Sequence, residues 1–297
     1  MMEAMAPLRD FDWRKFAGLL YTKVFETDLF GRAAQVAFYF SFAFFPLLLF
    51  LVTLFGLVLD STESLQRELY RYLGSILPGM AFQLVRTTMD EIIASSSGGK
   101  LTLGLLATLW SASAGVDSLR SALNAVYQVR EKWPWWKLKL QSLLLTLLFI
   151  LLLAVGLTIV TAGNRLIEFA AAGVGYPQSP SFILTAIQWI FLIGVLVFAT
   201  SVIYNWLPRR ENSRWKFITL GSGTAIILWI VLTSVFRLYL HYFNSYNKAY
   251  GSLGAVIILM LWMYLSALAI LIGGAINSVK GEMLASTEVP DPAVKTD

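Results

Sequence analysis

Asp117 and Arg120 stand three residues apart in an otherwise apolar stretch, so on a helix they share a face and can neutralise each other. Ionised groups kept inside an apolar helix point either to a gate or a site for an ion or lipid headgroup, or to a structural pair at headgroup level. Enzymatic chemistry finds less to work with. The single histidine, His241, lies in an aromatic segment with no His or carboxylate at metal-ligand spacing. No phosphate-binding glycine loop follows a strand pattern. The absence of cysteine removes disulfide and thiolate–metal chemistry. No cofactor, no metal and no enzymatic activity are expected.

Other residues qualify by position. Pro46 falls near the middle of a long apolar run, where its missing N–H breaks the hydrogen-bond ladder and kinks a helix. Tyr239, Tyr242, Tyr246 and Tyr250 recur at steps of three and four around Arg237 and His241. Arg237 and Tyr250 are therefore candidate headgroup contacts, with an ordinary aromatic belt as the alternative. Ala107, Ser111 and Gly115 recur every four residues, and Gly104, Thr108 and Ala112 make a neighbouring row. Small residues at this spacing let helix backbones approach closely. Gly251 and Gly254, then Ala269, Gly273 and Asn277, mark a second such helix.

The elements that must position these residues are lipid-solvated. Only 14% of the 297 residues are charged and 57% are apolar, with mean hydropathy +0.67; soluble domains carry roughly 25% charge. Charge-free runs lie between Arg32 and Asp60, Lys139 and Arg165, Lys216 and Arg237, and Lys248 and Lys280. Each is long enough to cross about 30 Å of hydrocarbon as a helix. A fifth run begins near Phe182, after breaker-rich residues 173–180. A sixth lies between Lys100 and Asp117, with Asp117 and Arg120 near its far interface.

The expected architecture is an all-α, polytopic bundle of six transmembrane helices with spans about 33–59, 101–122, 140–163, 182–207, 216–238 and 252–279. Lys and Arg are in about twofold excess in the segments on the side of the termini, which places both ends in the cytoplasm. Trp133, Trp135, Trp136, Trp206 and Trp215 flank the same basic loops as interface anchors. Net charge +5 then fits anionic inner-leaflet lipid rather than nucleic acid.

Residues 1–31 read as a cytoplasmic amphipathic segment in which Trp13, Phe16, Leu20 and Val24 form an apolar stripe lying on the membrane. Its charged start has no signal-peptide core, so the first span is expected to act as an uncleaved anchor. Residues 61–95 read as two outer amphipathic helices broken at Pro78-Gly79, with a loop over 95–99. Residues 282–297 read as a disordered cytoplasmic tail.

Four blocks carry a family resemblance: Ala33 to Tyr39 running on to Phe45 and Pro46, Leu109 to Gly115 continuing through Asn124 and Tyr127, Tyr204 to Pro208, and Tyr250 to Gly254 leading to Trp262 to Ser266. In order and spacing they resemble the YihY/BrkB family of bacterial inner-membrane proteins, once labelled ribonuclease BN. The resemblance implies a six-helix, N-in and C-in protein of the plasma membrane and no settled substrate. One departure is Ala275, where the family commonly has an acid.

The candidate pathway or gating residues are Tyr39, Pro46, Asp117, Arg120, Asn124, Tyr127, Asn205 and Asn277, with spans one, two and six around the pathway. The expected function is non-enzymatic transport or export of a lipid, an amphiphile or an ion. The alternatives are an envelope scaffold, in which the small-residue faces pack protomers into a homo-oligomer or bind partner helices, and a membrane nuclease. A nuclease would draw on Asp10, Asp12, Glu26, Asp28, Glu131 and Glu211, whose spacing suggests no metal site.

Overall fold

The computed structural model describes residues 12–59, 67, 70–71, 74, 82–83, 86–87, 100–173, 181–208, 215–242 and 252–288. Among the described residues there are seven α-helices and no strand. They are α1 (Trp13–Glu26), α2 (Leu29–Leu59), α3 (Lys100–Val126), α4 (Trp135–Gly173), α5 (Ser181–Trp206), α6 (Leu220–Tyr242) and α7 (Ser252–Glu288). Within α4, α5, α6 and α7, the stretches Trp135–Gly156, Ala186–Trp206, Leu220–Tyr242 and Val256–Ala285 are each long and apolar enough to cross a membrane.

The helix starts follow local chemistry. The Asp12 carboxylate accepts from the backbone N–H of Arg14 and Lys15 at 3.1 and 3.0 Å, an N-cap for α1. Asp28 reverses the chain in the left-handed region (φ 47°) and accepts from Gly31 N, which starts α2. Thr219 and Ser222 exchange side-chain-to-backbone hydrogen bonds at 2.9 and 3.0 Å at the start of α6. Pro134 precedes α4, where a missing N–H costs nothing, and its carbonyl takes Lys137 N at 3.0 Å.

The core gathers at one end of the bundle. Leu29, Ala33 and Val36 of α2 pack with Val116, Leu119, Leu123 and Val126 of α3, Leu145 of α4, Tyr204 and Leu207 near the end of α5, Ala225 of α6, and Leu271 and Ala275 of α7. Helices α2 and α3 make the most extensive pairing, followed by α6 with α7 and α2 with α7. The five interface tryptophans lie exposed at this same end, beside the α3–α4 and α5–α6 connections. Around the sides, α5 and α6 turn Ile190, Phe191, Ile227 and Val235 outward. Such a surface suits lipid, where association rests on close packing rather than on hiding apolar area from water.

Several expectations need correcting. Ala107 and Ser111 are exposed, whereas Ala112, Gly115 and Val116 are buried. A row spaced by four advances about 40° per step around a helix of 3.6 residues per turn. Ala107 and Ser111 have therefore rotated off the face on which Gly115 meets Phe40 and Ala43. Helix α7 continues through Glu288 rather than giving way to a disordered tail after residue 281, because Val279 and Met283 pack on Phe16 and Leu19 of α1 and Glu282 pairs with Lys23. The α1 stripe faces this contact, with Phe16 buried and Leu20 and Val24 packed on the core. Only Trp13 of the four points outward. Helix α4 begins at Trp135, upstream of the expected span, and carries Lys137 and Lys139 in its first turns.

Of the expected outer helices, residues 67, 70–71, 74, 82–83 and 86–87 are helical, and the Tyr70 and Phe82 rings meet at 6.3 Å. The remainder of 61–95 lies outside the described residues, as do Tyr250 and Gly251.

Candidate functional site

The last turns of α3 carry Asp117, Arg120 and Asn124 at steps of three and four, on the face turned toward the start of α4, and Tyr127 follows just past the helix end. Arg120 is buried and makes contacts from all three guanidinium nitrogens. Its Nε donates to Glu131 Oε1 at 3.1 Å, its Nη1 donates to Leu138 O at 2.8 Å and to Ser142 Oγ at 2.7 Å, and its Nη2 lies 3.1 Å from Asp117 Oδ1. Asn124 Nδ2 donates to the same Glu131 oxygen at 2.8 Å. Lys139 Nζ lies 2.9 Å from Asp117 Oδ2 and 4.6 Å from the Trp110 ring centroid. Two cations thus face two anions. A burial that would be costly for any one charge is compensated within the group.

The four charges differ in access to solvent. The Arg120 and Lys139 side chains are 9% and 11% exposed, those of Asp117 and Glu131 27% and 35%. The cluster has dry cations and wetter anions.

A second polar group lies where α6 crosses α7, and it is neutral. A Cβ built at Gly221 would fall on the Gly273 carbonyl and the Asn277 amide. One built at Gly273 would fall on the Tyr204 hydroxyl and the Gly221 carbonyl. The two backbones are therefore in contact, which only glycine permits. Asn277 joins them, accepting from Gly221 N at 2.8 Å and donating to Thr219 Oγ1 at 2.9 Å, while Tyr204 donates to Ile270 O at 2.8 Å.

A profile of the family described as "Virulence factor BrkB" matches residues 20–296. The chain belongs to this family. A relative from Bacillus subtilis (strain 168), "Putative ribonuclease-like protein YfkH", is 31% identical over 249 residues, covering 84% of this chain and 89% of that one. A "UPF0761 membrane protein" of Xanthomonas campestris pv. campestris (strain B100) is 25% identical over 275 residues, covering 89% of this chain and 60% of its own length. Another, from Idiomarina loihiensis, is 25% identical over 235 residues, covering 79% and 77%. The chain therefore spans about three-fifths of the Xanthomonas proteins it matches. No solved structure matches it.

In this member of the BrkB membrane-protein family, three of the four resemblance blocks feed the buried core, through Ala33 and Val36, through Val116 to Asn124, and through Tyr204 and Leu207. The candidate residues separate into groups. Asp117, Arg120 and Asn124 come together. Asn205 stands apart, holding the α5–α6 connection by donating to Ser201 O and Lys216 O and accepting from Lys216 N. Asn277 belongs to the glycine crossing. Tyr39 is exposed, with its ring edge-on to Phe38. Pro46 lies within an α2 that continues past it. Arg237 is exposed near the far end of α6. Gly254 is buried near the start of α7.

Lys139, Ser142 and Gly221 complete these two sites, and Glu131, in the sequence only a candidate nuclease carboxylate, joins the first as a partner of Arg120. The signal for Lys139 was its place one turn inside an apolar helix. Glu131 gave none, since a carboxylate in a charged loop is ordinarily solvated.

Proposed function

We propose that the chain is a six-span protein of the bacterial plasma membrane, with both termini in the cytoplasm, that moves a lipid, an amphiphile or an ion without chemical conversion. Helices α2 and α3 supply the two spans beyond the four apolar stretches, and the tryptophan-rich end faces the anionic inner leaflet. The observation that carries the transport reading is the Arg120 cluster. Ionisable groups on a membrane helix are expensive and mark substrate or ion paths by default. Here the cations are dry and the anions open toward the aqueous end.

The test is flux or flipping in liposomes of stated composition, with fluorescent phospholipid and with ion-sensitive dyes, on wild type and Asp117→Asn. The variant should insert normally and lose most of the activity. No movement of any probe by the wild type, or full activity in the variant, would sink the reading.

A second reading, a structural scaffold in which the small-residue faces pack partner helices or protomers, is favoured by the Gly221–Gly273 crossing and by Arg120 contacting three different segments. It predicts intact oligomers and no flux. A nuclease reading has less to stand on. Asp12 and Asp28 cap helices, Glu131 holds Arg120 and Asn124, and among the described residues no three His, Asp or Glu side chains converge.

A further inference from the structure

Glu131 reaches Arg120 by a route that a simple helix-end contact does not need. Helix α3 ends with Val129 N donating back to Asn124 O, and Gln128 takes a left-handed conformation (φ 54°) that a side-chain-bearing residue rarely adopts. This reversal brings the connection back alongside the helix it has just left. One carboxylate oxygen then accepts from two donors on successive turns of α3, Arg120 Nε and Asn124 Nδ2. A planar guanidinium nitrogen beside a carboxamide is a donor fork suited to an anionic oxygen. The occupant in this structure is a carboxylate carried on a connection rather than on a helix.

The charge balance has a direct consequence. Arg120 and Lys139 face Asp117 and Glu131, so the group is neutral as built. Withdrawing Glu131 leaves two buried cations sharing one carboxylate, and a buried uncompensated charge draws in an anion. Asn124 adds a second requirement. Its residue is 5% exposed, and its Oδ1 has no hydrogen-bond partner among the described residues. An acceptor beside the donor fork fits a ligand that carries a proton donor as well as negative charge.

We propose that the Arg120–Asn124 fork is a binding site for a phosphate-type anion bearing a hydroxyl or ammonium donor, and that Glu131 is its tethered occupant, displaced when the ligand enters. The inference rests on reading the polar face of α3 as a ligand-handling surface. It specifies the ligand class and the element that moves. A tethered carboxylate competes at an effective concentration in the millimolar range or above, so a weak free anion loses to it. A phospholipid headgroup concentrated at the membrane surface is better placed to win.

The experiment uses the full chain purified in mild detergent, with thermal unfolding followed against inorganic phosphate and, separately, against a short-chain phosphatidic acid. Glu131→Gln keeps the shape of the connection and removes its charge. It should be stabilised by either probe at concentrations about tenfold below those needed for wild type. Adding Arg120→Lys, which cannot present the planar donor, should abolish the saturable response. A stronger response to the phosphatidic acid assigns the site to a lipid headgroup, and equal responses assign it to free phosphate. Equal responses of Glu131→Gln and wild type, or survival of the response in the double variant, would overturn the proposal. Should Glu131→Gln fail to fold, Glu131→Asp, which keeps the charge on a shorter stem, should give a smaller shift in the same direction. No shift there also overturns it. Binding is read without flux, so a protein that binds but moves nothing refutes transport and leaves this site standing.

Discussion

The Arg120 cluster and the Gly221–Gly273 crossing both join helices at the tryptophan-rich end, by opposite means. The first joins α3 to α4 and their connection through four charged side chains and the hydrogen bonds among them. The second joins α6 to α7 by removing side chains until the backbones touch. A glycine crossing holds its helices by backbone contact and carries no charged side chain, so it is suited to being a fixed hinge-pin of the bundle. A charge cluster has several near-equivalent pairings and can exchange one anion for another. One end of the molecule therefore holds a rigid joint and an adaptable one.

The largest expected effect breaks the rigid joint. Gly273→Leu forces a side chain into the Tyr204 hydroxyl and the α6 backbone and should cost about 3 kcal/mol or more. Detergent-solubilised protein should then run as aggregate in size-exclusion chromatography, and a monodisperse peak at wild-type yield would show that the helices separate freely.

The adaptable joint should respond to balance rather than to loss of any one atom. Arg120→Met leaves Glu131 without its buried cation and should destabilise by about 3–5 kcal/mol. Adding Glu131→Gln leaves the Asp117–Lys139 pair intact and should restore at least half of that in thermal melts. Equal instability of the single and double variants would mean that packing of the arginine stem, not charge, holds this joint.

Lys23 and Glu282 provide an intermediate case. The Lys23 side chain is 5% exposed and that of Glu282 49%, so Glu282→Gln should cost about 1–2 kcal/mol, between a surface pair and a buried one. The loss should also increase proteolysis within α1, measured by limited digestion. The smallest effect belongs to Ser111→Leu. This exposed position should tolerate the change within about 0.5 kcal/mol, whereas Gly115→Leu, directed at Phe40 and Ala43, should not.

The helices were legible because their signals are local. Charge-free runs marked α4 to α7, and the apolar stripe of Trp13, Phe16, Leu20 and Val24 marked α1. The Asp117–Arg120 pair was legible because i,i+3 is a property of one helix. The partners that enlarge it were not, since Glu131 arrives through a chain reversal at Gln128 and Ser142 through the packing angle of α4, and neither leaves a periodic trace. The small-residue rows were read correctly as helical and wrongly as a straight line. A spacing of four drifts around the helix, so Gly115 kept the contact that Ala107 and Ser111 lost. In the same way, Gly273 stands in a small-residue row of the sequence, whereas its partner Gly221 is brought in only by the crossing of α6 on α7.

The contact of α1 with the end of α7 also sets a schedule for assembly. Lys23 and Glu282 are separated by 259 positions in the chain. At about 5–20 residues per second, roughly 13–50 s of synthesis separate the ammonium from the carboxylate that receives it. Throughout that interval α1 has its apolar stripe and its lysine but no seat for them, and the membrane surface is the nearest substitute. Docking of the first described helix on the last is thus a late event, and its formation reports that every helix between them has been made.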